Sequence, residues 1–182
     1  MRLYYFVSVF ICLIALSGCG SGSSSVVGEG NTVFLESAIT NGSVLSADSA
    51  LSVPGPDLLN FTIKSTPYSN AGTFASDVQI NQQDISYEYL GSSDPTFTTI
   101  ASLPAYQTFS TGLLTPGGTL DLQIRVTQDS IKQYISSTYL SAFSSLPTNV
   151  LRYKVNVTFT GTELRTNKRV SVTAYANLFV RQ

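Results

Sequence analysis

The sequence predicts an all-β protein, an antiparallel β-sandwich with one short helix before its last hairpin. Several segments alternate apolar and polar residues with a period of two, which is typical of half-buried strands. Clusters of Gly and Pro separate these segments, as the turns between short strands require. The 182 residues are 43% hydrophobic and 12% charged, which is apolar enough for the core of one domain and too poor in charge for a nucleic-acid partner.

The last hairpin has the clearest pattern. Residues 151–159 alternate large apolar residues with Arg, Lys, Asn and Thr, and residues 170–180 return with Val, Ala and Leu on one face. Between them, Asn167 suits a left-handed turn position. Such a hairpin is not stable alone, because ordering its backbone costs about 1–2 kcal/mol per residue. We therefore expect a second sheet, with candidate strands at residues 58–63, 85–90, 106–109 and 120–127.

Two aromatic residues, Tyr175 and Phe179, point away from the apolar row of the last strand. Either a further layer such as the helix covers them, or they form an exposed aromatic patch. We expect them to be covered, because exposed apolar patches are uncommon on monomers.

The helix is predicted over residues 129–143. Ile131, Ile135, Tyr139 and Ala142 follow helical spacing, and Asp129 or Ser130 can serve as the N-cap. A long irregular loop is the alternative, since serine and β-branched residues weaken a helix.

The run Tyr153-Lys154-Val155-Asn156-Val157 resembles the penultimate strand of immunoglobulin-like and fibronectin type III-like sandwiches. The resemblance implies an immunoglobulin-like sandwich in which Tyr153 is the corner tyrosine that closes one end. The antibody-type cysteine pair and tryptophan are both absent, so the core differs from that of a true immunoglobulin domain.

The amino terminus has the build of an export signal, with Arg2 followed by an apolar run. Leu16-Ser17-Gly18-Cys19 resembles the lipobox of bacterial lipoproteins, which implies cleavage before Cys19 and acylation of its sulfur. An ordinary secretory signal and an uncleaved anchor are the alternatives. We thus expect a signal peptide over residues 1–18, a Gly/Ser tether with lipidated Cys19 over residues 19–30, and a single β-sandwich domain over residues 31–182.

These features together are similar to small uncharacterised bacterial lipoproteins, which implies a location in the cell envelope. Gly20 follows Cys19, where aspartate would favour retention in the inner membrane, so we expect the outer membrane. Cys12 would leave with the signal peptide, and an intramolecular disulfide is then excluded.

Catalytic chemistry is poorly represented. The chain contains no histidine, which excludes Ser-His-Asp and Cys-His arrangements and the usual zinc sites. The acids Asp57, Asp77, Asp84, Glu88 and Asp94 do not form a calcium-binding loop motif. We expect neither an enzyme nor a metal or cofactor site.

Charge is unevenly distributed along the chain. From residue 125 onward eight Lys and Arg stand against two acids, whereas residues 19–121 carry nine acids against Lys64. Interleaved strands would bring these charges together as weak surface pairs. Alternatively, Arg165, Lys168 and Arg169 at the hairpin tip form a basic contact for an anionic partner.

We expect a membrane-anchored envelope lipoprotein that acts as a non-enzymatic structural or binding module. Its partners would be the membrane, through the lipid anchor, and an envelope protein or polysaccharide. A subunit of a surface assembly joined by strand pairing, through the last strand or residues 31–53, is the alternative. A carbohydrate-active or calcium-dependent enzyme would require two carboxylates facing each other in a cleft.

Overall fold

The structure, a computed structural model, describes residues 24–27, 30–38, 45–69, 71–144, 146 and 148–182. Their strands form two sheets around one buried core, which confirms the predicted β-sandwich. The strands are β1 (Ser24–Val27), β2 (Val33–Ala38), β3 (Leu45–Ala50), β4 (Leu58–Pro67), β5 (Val78–Ser92), β6 (Tyr106–Thr108), β7 (Gly112–Leu114), β8 (Thr119–Arg125), β9 (Leu151–Glu163) and β10 (Arg169–Arg181).

The larger sheet is built around β9, which pairs with β10 on one side and β5 on the other. Val157 of β9, for example, lies between Ala174 and Ile85. The far edge of β10 pairs with β1 and with β3, and the far edge of β5 pairs with β6 and β7. Both edges of β10 are therefore paired within the chain. A surface assembly joined through the last strand would need a free edge, and the paired segments of β10 do not offer one.

The smaller sheet has the order β2-β4-β8, with antiparallel pairing throughout. The early strands thus divide between the sheets, since β2 joins the smaller sheet while β3 pairs in parallel with β10. This division of the strands between two sheets is that of the β-sandwich that the sequence predicts.

The core lies between the two sheets and follows the alternation of the strands. Val155, Val157 and Phe159 are fully buried, and the ring of Phe159 lies 5.8 Å from that of Phe61 in the opposite sheet. Burying such side chains contributes about 1.5–3 kcal/mol each. This stabilisation offsets the conformational entropy that the hairpin backbone loses on folding.

The predicted helix is divided into two, α1 (Asp129–Thr138) and α2 (Ser141–Ser144). Ile131 and Ile135 are buried, as the helical spacing predicts. The prediction of the N-cap is wrong, because α1 begins after Gln128 and the Asp129 carboxylate instead accepts a hydrogen bond from the Gly55 N–H at 2.8 Å.

Tyr153 is fully buried near the start of β9, but it does not make the hydrogen bond of a corner tyrosine. Its hydroxyl has no hydrogen-bond partner within the described part of the chain. The ring instead packs against Tyr87 and Tyr89, with centroid separations of 6.5 and 5.5 Å. Tyr153 therefore acts through packing alone.

The segment predicted as a tether contributes a strand to the larger sheet, because β1 pairs with β10 from Ser24 opposite Thr173 to Val27 opposite Val170. The signal segment and Cys19 lie outside the described residues. No helix in the described part of the chain is long and apolar enough to cross a membrane.

Candidate functional site

The three predicted contact residues, Arg165, Lys168 and Arg169, are exposed at the tip of the β9–β10 hairpin. Asn167 adopts the predicted left-handed conformation, with a φ of 55°. The Glu163 N–H donates to the Lys168 carbonyl at 2.8 Å, which closes the turn. The structure therefore brings the three cations to one end of the hairpin.

The tip rests against residues 72–77, which are far away in the sequence. The Leu164 N–H donates to the Asp77 carbonyl at 2.9 Å, and the Arg165 N–H donates to the Ser76 hydroxyl at 2.9 Å. The Arg165 guanidinium lies 4.8 Å from the centre of the Phe74 ring, a cation–π distance. These contacts hold the tip in one position.

Two large apolar side chains join the cations. Phe74 is 61% exposed and Leu164 is 58% exposed. We define the hairpin-tip surface as Phe74, Leu164, Arg165, Lys168 and Arg169. Phe74 could not be predicted from the sequence, because only the folded chain places it beside Arg165.

A buried carboxylate lies directly beneath this surface. Glu163 is completely buried, and its carboxylate accepts hydrogen bonds from the N–H groups of Thr32 and Val33 at 2.9 and 3.1 Å. The hydroxyls of Thr32 and Thr166 also donate to it, at 3.2 and 2.6 Å. Glu163 thus ties the start of β2 to the end of β9.

A second surface feature is a groove of about 760 Å³ between residues 51–54 and α1. Lys132 is buried there, and its ammonium group lies 3.3 Å from the Asp57 carboxylate and donates to the Val53 carbonyl at 3.0 Å. Internal partners satisfy this cation, so its role is to fasten α1 to the loop before β4.

The structure does not bring the five singled-out carboxylates together. Asp57 pairs with Lys132, Asp84 accepts from Gln82 and Gln107, and Asp94 accepts from Thr96. Across the described ranges, no three or more acidic or cysteine side chains are grouped so that they could hold a metal ion.

The opposite charges of the two halves meet in space. Among the described residues, the ion pairs are Lys132–Asp57, Lys154–Glu88 and Arg181–Asp48, each joining a late cation to an early acid. The explanation by interleaved strands is confirmed for these residues. The two exposed pairs contribute less than about 1 kcal/mol each.

Tyr175 and Phe179 lie on the outer face of β10 and are only half-buried. The Lys154 ammonium lies 5.1 Å from the centre of the Tyr175 ring. The two rings are therefore neither fully covered nor fully exposed.

Comparison of the chain with protein-family models and with curated proteins finds no match.

Proposed function

We propose that this chain is a lipid-anchored envelope protein, held in the outer membrane, whose β-sandwich is a non-enzymatic binding module. The observation that carries the proposal is Leu16-Ser17-Gly18-Cys19 directly after the apolar run. The absence of histidine from the whole sequence and the dispersed carboxylates support a binding role over catalysis.

The position of β1 limits how far the anchor can lie from the hairpin tip, although β1 runs away from the tip towards its amino-terminal end. Ser24 lies five residue steps after Cys19, and five steps span at most about 18 Å when fully extended. Ser24 pairs with Thr173, which lies four residues along β10 from Arg169, or about 14 Å. A lipid on Cys19 would therefore keep the hairpin-tip surface within a few tens of ångströms of the bilayer, roughly the sum of those two spans.

The hairpin-tip surface is suited to an anionic partner in the envelope. Three cations beside exposed Phe74 and Leu164 form the combination that attracts anionic head groups and places apolar side chains at their boundary. A surface polysaccharide offers the same negative charge without an apolar layer. A contribution of the Phe74 side chain to binding would therefore distinguish lipid head groups from a polysaccharide.

The anchor is tested by expressing the full chain in bacteria supplied with a labelled fatty acid. We expect the processed protein in the outer-membrane fraction, carrying label and the added mass of the acyl chains. Cys19→Ser should lose the label and the membrane association, whereas Cys12→Ser should retain both. A cytoplasmic protein, or one without added mass at Cys19, would contradict the proposal.

The surface is tested with vesicles containing phosphatidylglycerol. Replacing Arg165, Lys168 and Arg169 with Gln should weaken binding about a hundredfold, since each cation near an anionic bilayer contributes about 1 kcal/mol. The matched control replaces Arg152, Lys154 and Arg181 with Gln, which removes the same charge elsewhere on the domain. Equal losses in both triple variants would show that only net charge matters.

Phe74→Ser separates the two partners. It should weaken binding to vesicles while leaving binding to an anionic polysaccharide unchanged. If Phe74→Ser leaves vesicle binding intact, lipid head groups are not the partner of this surface.

A further inference from the structure

A cavity of about 330 Å³ opens at the edge of the sandwich, away from the hairpin tip. It is lined by β5 and β6 of the larger sheet, by the residues that follow β6, and by β8 of the smaller sheet. Its walls therefore come from both sheets, and pockets of this size suit a small ligand.

The inner wall of the cavity carries an amide that the protein itself does not satisfy. Gln83 is completely buried, yet neither its amide oxygen nor its amide nitrogen has a hydrogen-bond partner within the described part of the chain. The Ser110 hydroxyl beside the same cavity is also buried and without a partner there. Buried polar groups nearly always bind a partner, because leaving them unpaired costs free energy.

The backbone places Gln83 there through a β-bulge. The register between β5 and β9 shifts between Ile80 and Gln82, so that Asn81 is an extra residue on β5. This shift makes Gln83, rather than Gln82, point inward. A bulge that turns an amide into a cavity is typical of a site that positions a side chain for a ligand.

The other edge of β5 is interrupted at the same place. Its pairing passes from Gly112 of β7, opposite Ile80, to Thr108 of β6, opposite Gln83. Residues 109–111 between them are unpaired in the sheet, and Phe109 there is 72% exposed. The break in the edge strand opens the cavity to solvent.

The chemistry of the lining indicates the ligand. The lining residues whose side chains can offer hydrogen bonds, a stacking face or charge are Gln83, Ser110, Gln123, Gln128, Phe109 and Arg125. Gln123 and Arg125 are exposed and so belong to the rim of the cavity. Amides and hydroxyls pair with the hydroxyl groups of a sugar, and an aromatic ring packs against its C–H face. Arg125 is the charged residue of the lining, where no acid is present, and a guanidinium binds a carboxylate through two parallel hydrogen bonds.

We propose that this cavity binds a single acidic sugar residue, a uronate, of an envelope polysaccharide. Gln83 and Ser110 hold the sugar hydroxyls inside, and Arg125 binds the carboxylate at the mouth. The proposal rests on the proposed role of the sandwich as a binding module, and it does not depend on the anchor at Cys19.

The test measures saturation transfer by NMR from the full chain, in a zwitterionic detergent without sugar groups, to methyl β-D-glucuronide. The neutral methyl β-D-glucoside serves as the matched ligand. We expect binding of the glucuronide with a dissociation constant of about 1 mM, and about tenfold weaker binding of the glucoside, because one charge-assisted pair is lost.

Variants assign the binding to the cavity. Gln83→Leu and Ser110→Ala should each weaken the binding of both sugars, whereas Arg125→Gln should remove the preference for the glucuronide. Arg152→Gln, which removes a cation from β9 outside the cavity, should change neither. Ser110→Ala keeps the test decisive if Gln83→Leu does not fold.

Three results would overturn the inference. One is no transfer to either sugar while the fold is intact, which would leave water as the partner of Gln83. A second is an equal signal from the glucoside, which would exclude an acidic sugar. The third is binding that survives Gln83→Leu and Ser110→Ala. None of these bears on acylation of Cys19 or on vesicle binding, so the two proposals fail separately.

Discussion

At the scale of single residues, Asn149 connects three segments through a completely buried side chain. Its amide oxygen accepts hydrogen bonds from the hydroxyls of Ser92 and Ser93 and from the Asp94 N–H, at 2.6, 2.8 and 2.9 Å. Its amide nitrogen donates to the Ala142 carbonyl at 2.7 Å. The end of β5, helix α2 and the start of β9 therefore share one anchor.

We expect Asn149→Ala to lower the free energy of unfolding by about 2–4 kcal/mol, because it leaves several buried polar groups unpaired. Urea denaturation followed by circular dichroism measures the change. Asn156→Ala on the outer face of β9 is the control, with an expected loss of less than about 1 kcal/mol. Similar losses for both variants would contradict the anchoring role.

Two core-packed tyrosines, half-buried Tyr87 and buried Tyr153, differ in whether their hydroxyls have a hydrogen-bond partner. The Tyr87 hydroxyl donates to the Val126 carbonyl at 2.7 Å, whereas the Tyr153 hydroxyl has no partner among the described residues. At neutral pH we expect Tyr87→Phe to cost about 1 kcal/mol and Tyr153→Phe to cost nothing. Thermal unfolding of the two variants compares them directly.

The same tyrosines make stability depend on alkaline pH. Burial raises the pKa of Tyr87 and of Tyr153 above the usual tyrosine value of about 10. Above that pH the unfolded chain loses these protons first, so stability is complete below pH about 10 and falls as the pH rises further. Either Tyr→Phe variant should reduce the slope of this fall, and an unchanged slope in both would contradict the assignment.

Gln83 gives a prediction on stability that is independent of any sugar. Leucine has a similar volume and needs no hydrogen bond, so Gln83→Leu should raise the free energy of unfolding by about 1–2 kcal/mol. A destabilised variant measured without sugar would mean that the amide has a structural partner, which would weaken the case for a ligand site.

At the scale of secondary-structure elements, Glu163 determines how β2 joins the fold. Strand β2 belongs to the smaller sheet and β9 to the larger, and the Glu163 carboxylate links them through three hydrogen bonds from Thr32 and Val33. A fourth hydrogen bond comes from the hydroxyl of Thr166 in the turn after β9. A carboxylate is required because all four partners donate. A glutamine at position 163 would keep one accepting oxygen. Its amide nitrogen would be a donor facing other donors, with which it cannot form hydrogen bonds.

We expect Glu163→Gln to lower the free energy of unfolding by about 1.5–3 kcal/mol, the range for hydrogen bonds to a charged group. In this variant the amide of Val33 should exchange its hydrogen faster than the amides in the centre of β9 do. Glu36→Gln, which alters a half-buried carboxylate on β2 itself, is the control and should leave Val33 protected. Equal exchange in both variants would show that Glu163 does not hold the strand.

The elements with strict alternation were predictable, and those with interrupted alternation were not. Residues 151–159 and 170–180 lie within β9 and β10 as predicted, because their period of two directly reflects one buried and one exposed face. Strand β5 was predicted only from residue 85, since its inward residues change from even numbers, Val78 and Ile80, to odd numbers, Gln83 and Ile85. That change of phase is a readable sign of the bulge.

At the scale of the whole molecule, the arrangement of strands brings some early acids beside late cations. Early acids and late cations meet because β3 lies beside β10, as in Arg181–Asp48, and because β5 lies beside β9, as in Lys154–Glu88. The turn of the β9–β10 hairpin gathers three further late cations, Arg165, Lys168 and Arg169, at an exposed position. The hairpin tip is the surface that we propose contacts an anionic partner.

The sequence by itself determined the all-β class, the last hairpin, the region of the helix and the expectation of a lipid at Cys19, because each depends on residues close together in the chain. Only the tertiary structure decided that Phe74 stands beside Arg165 and that Gln83 faces a cavity shared with Arg125. Side-chain alternation specifies which face a residue occupies, but the register between strands and the approach of the two sheets determine which distant residues it meets. The surfaces proposed to bind partners depend on those long-range placements.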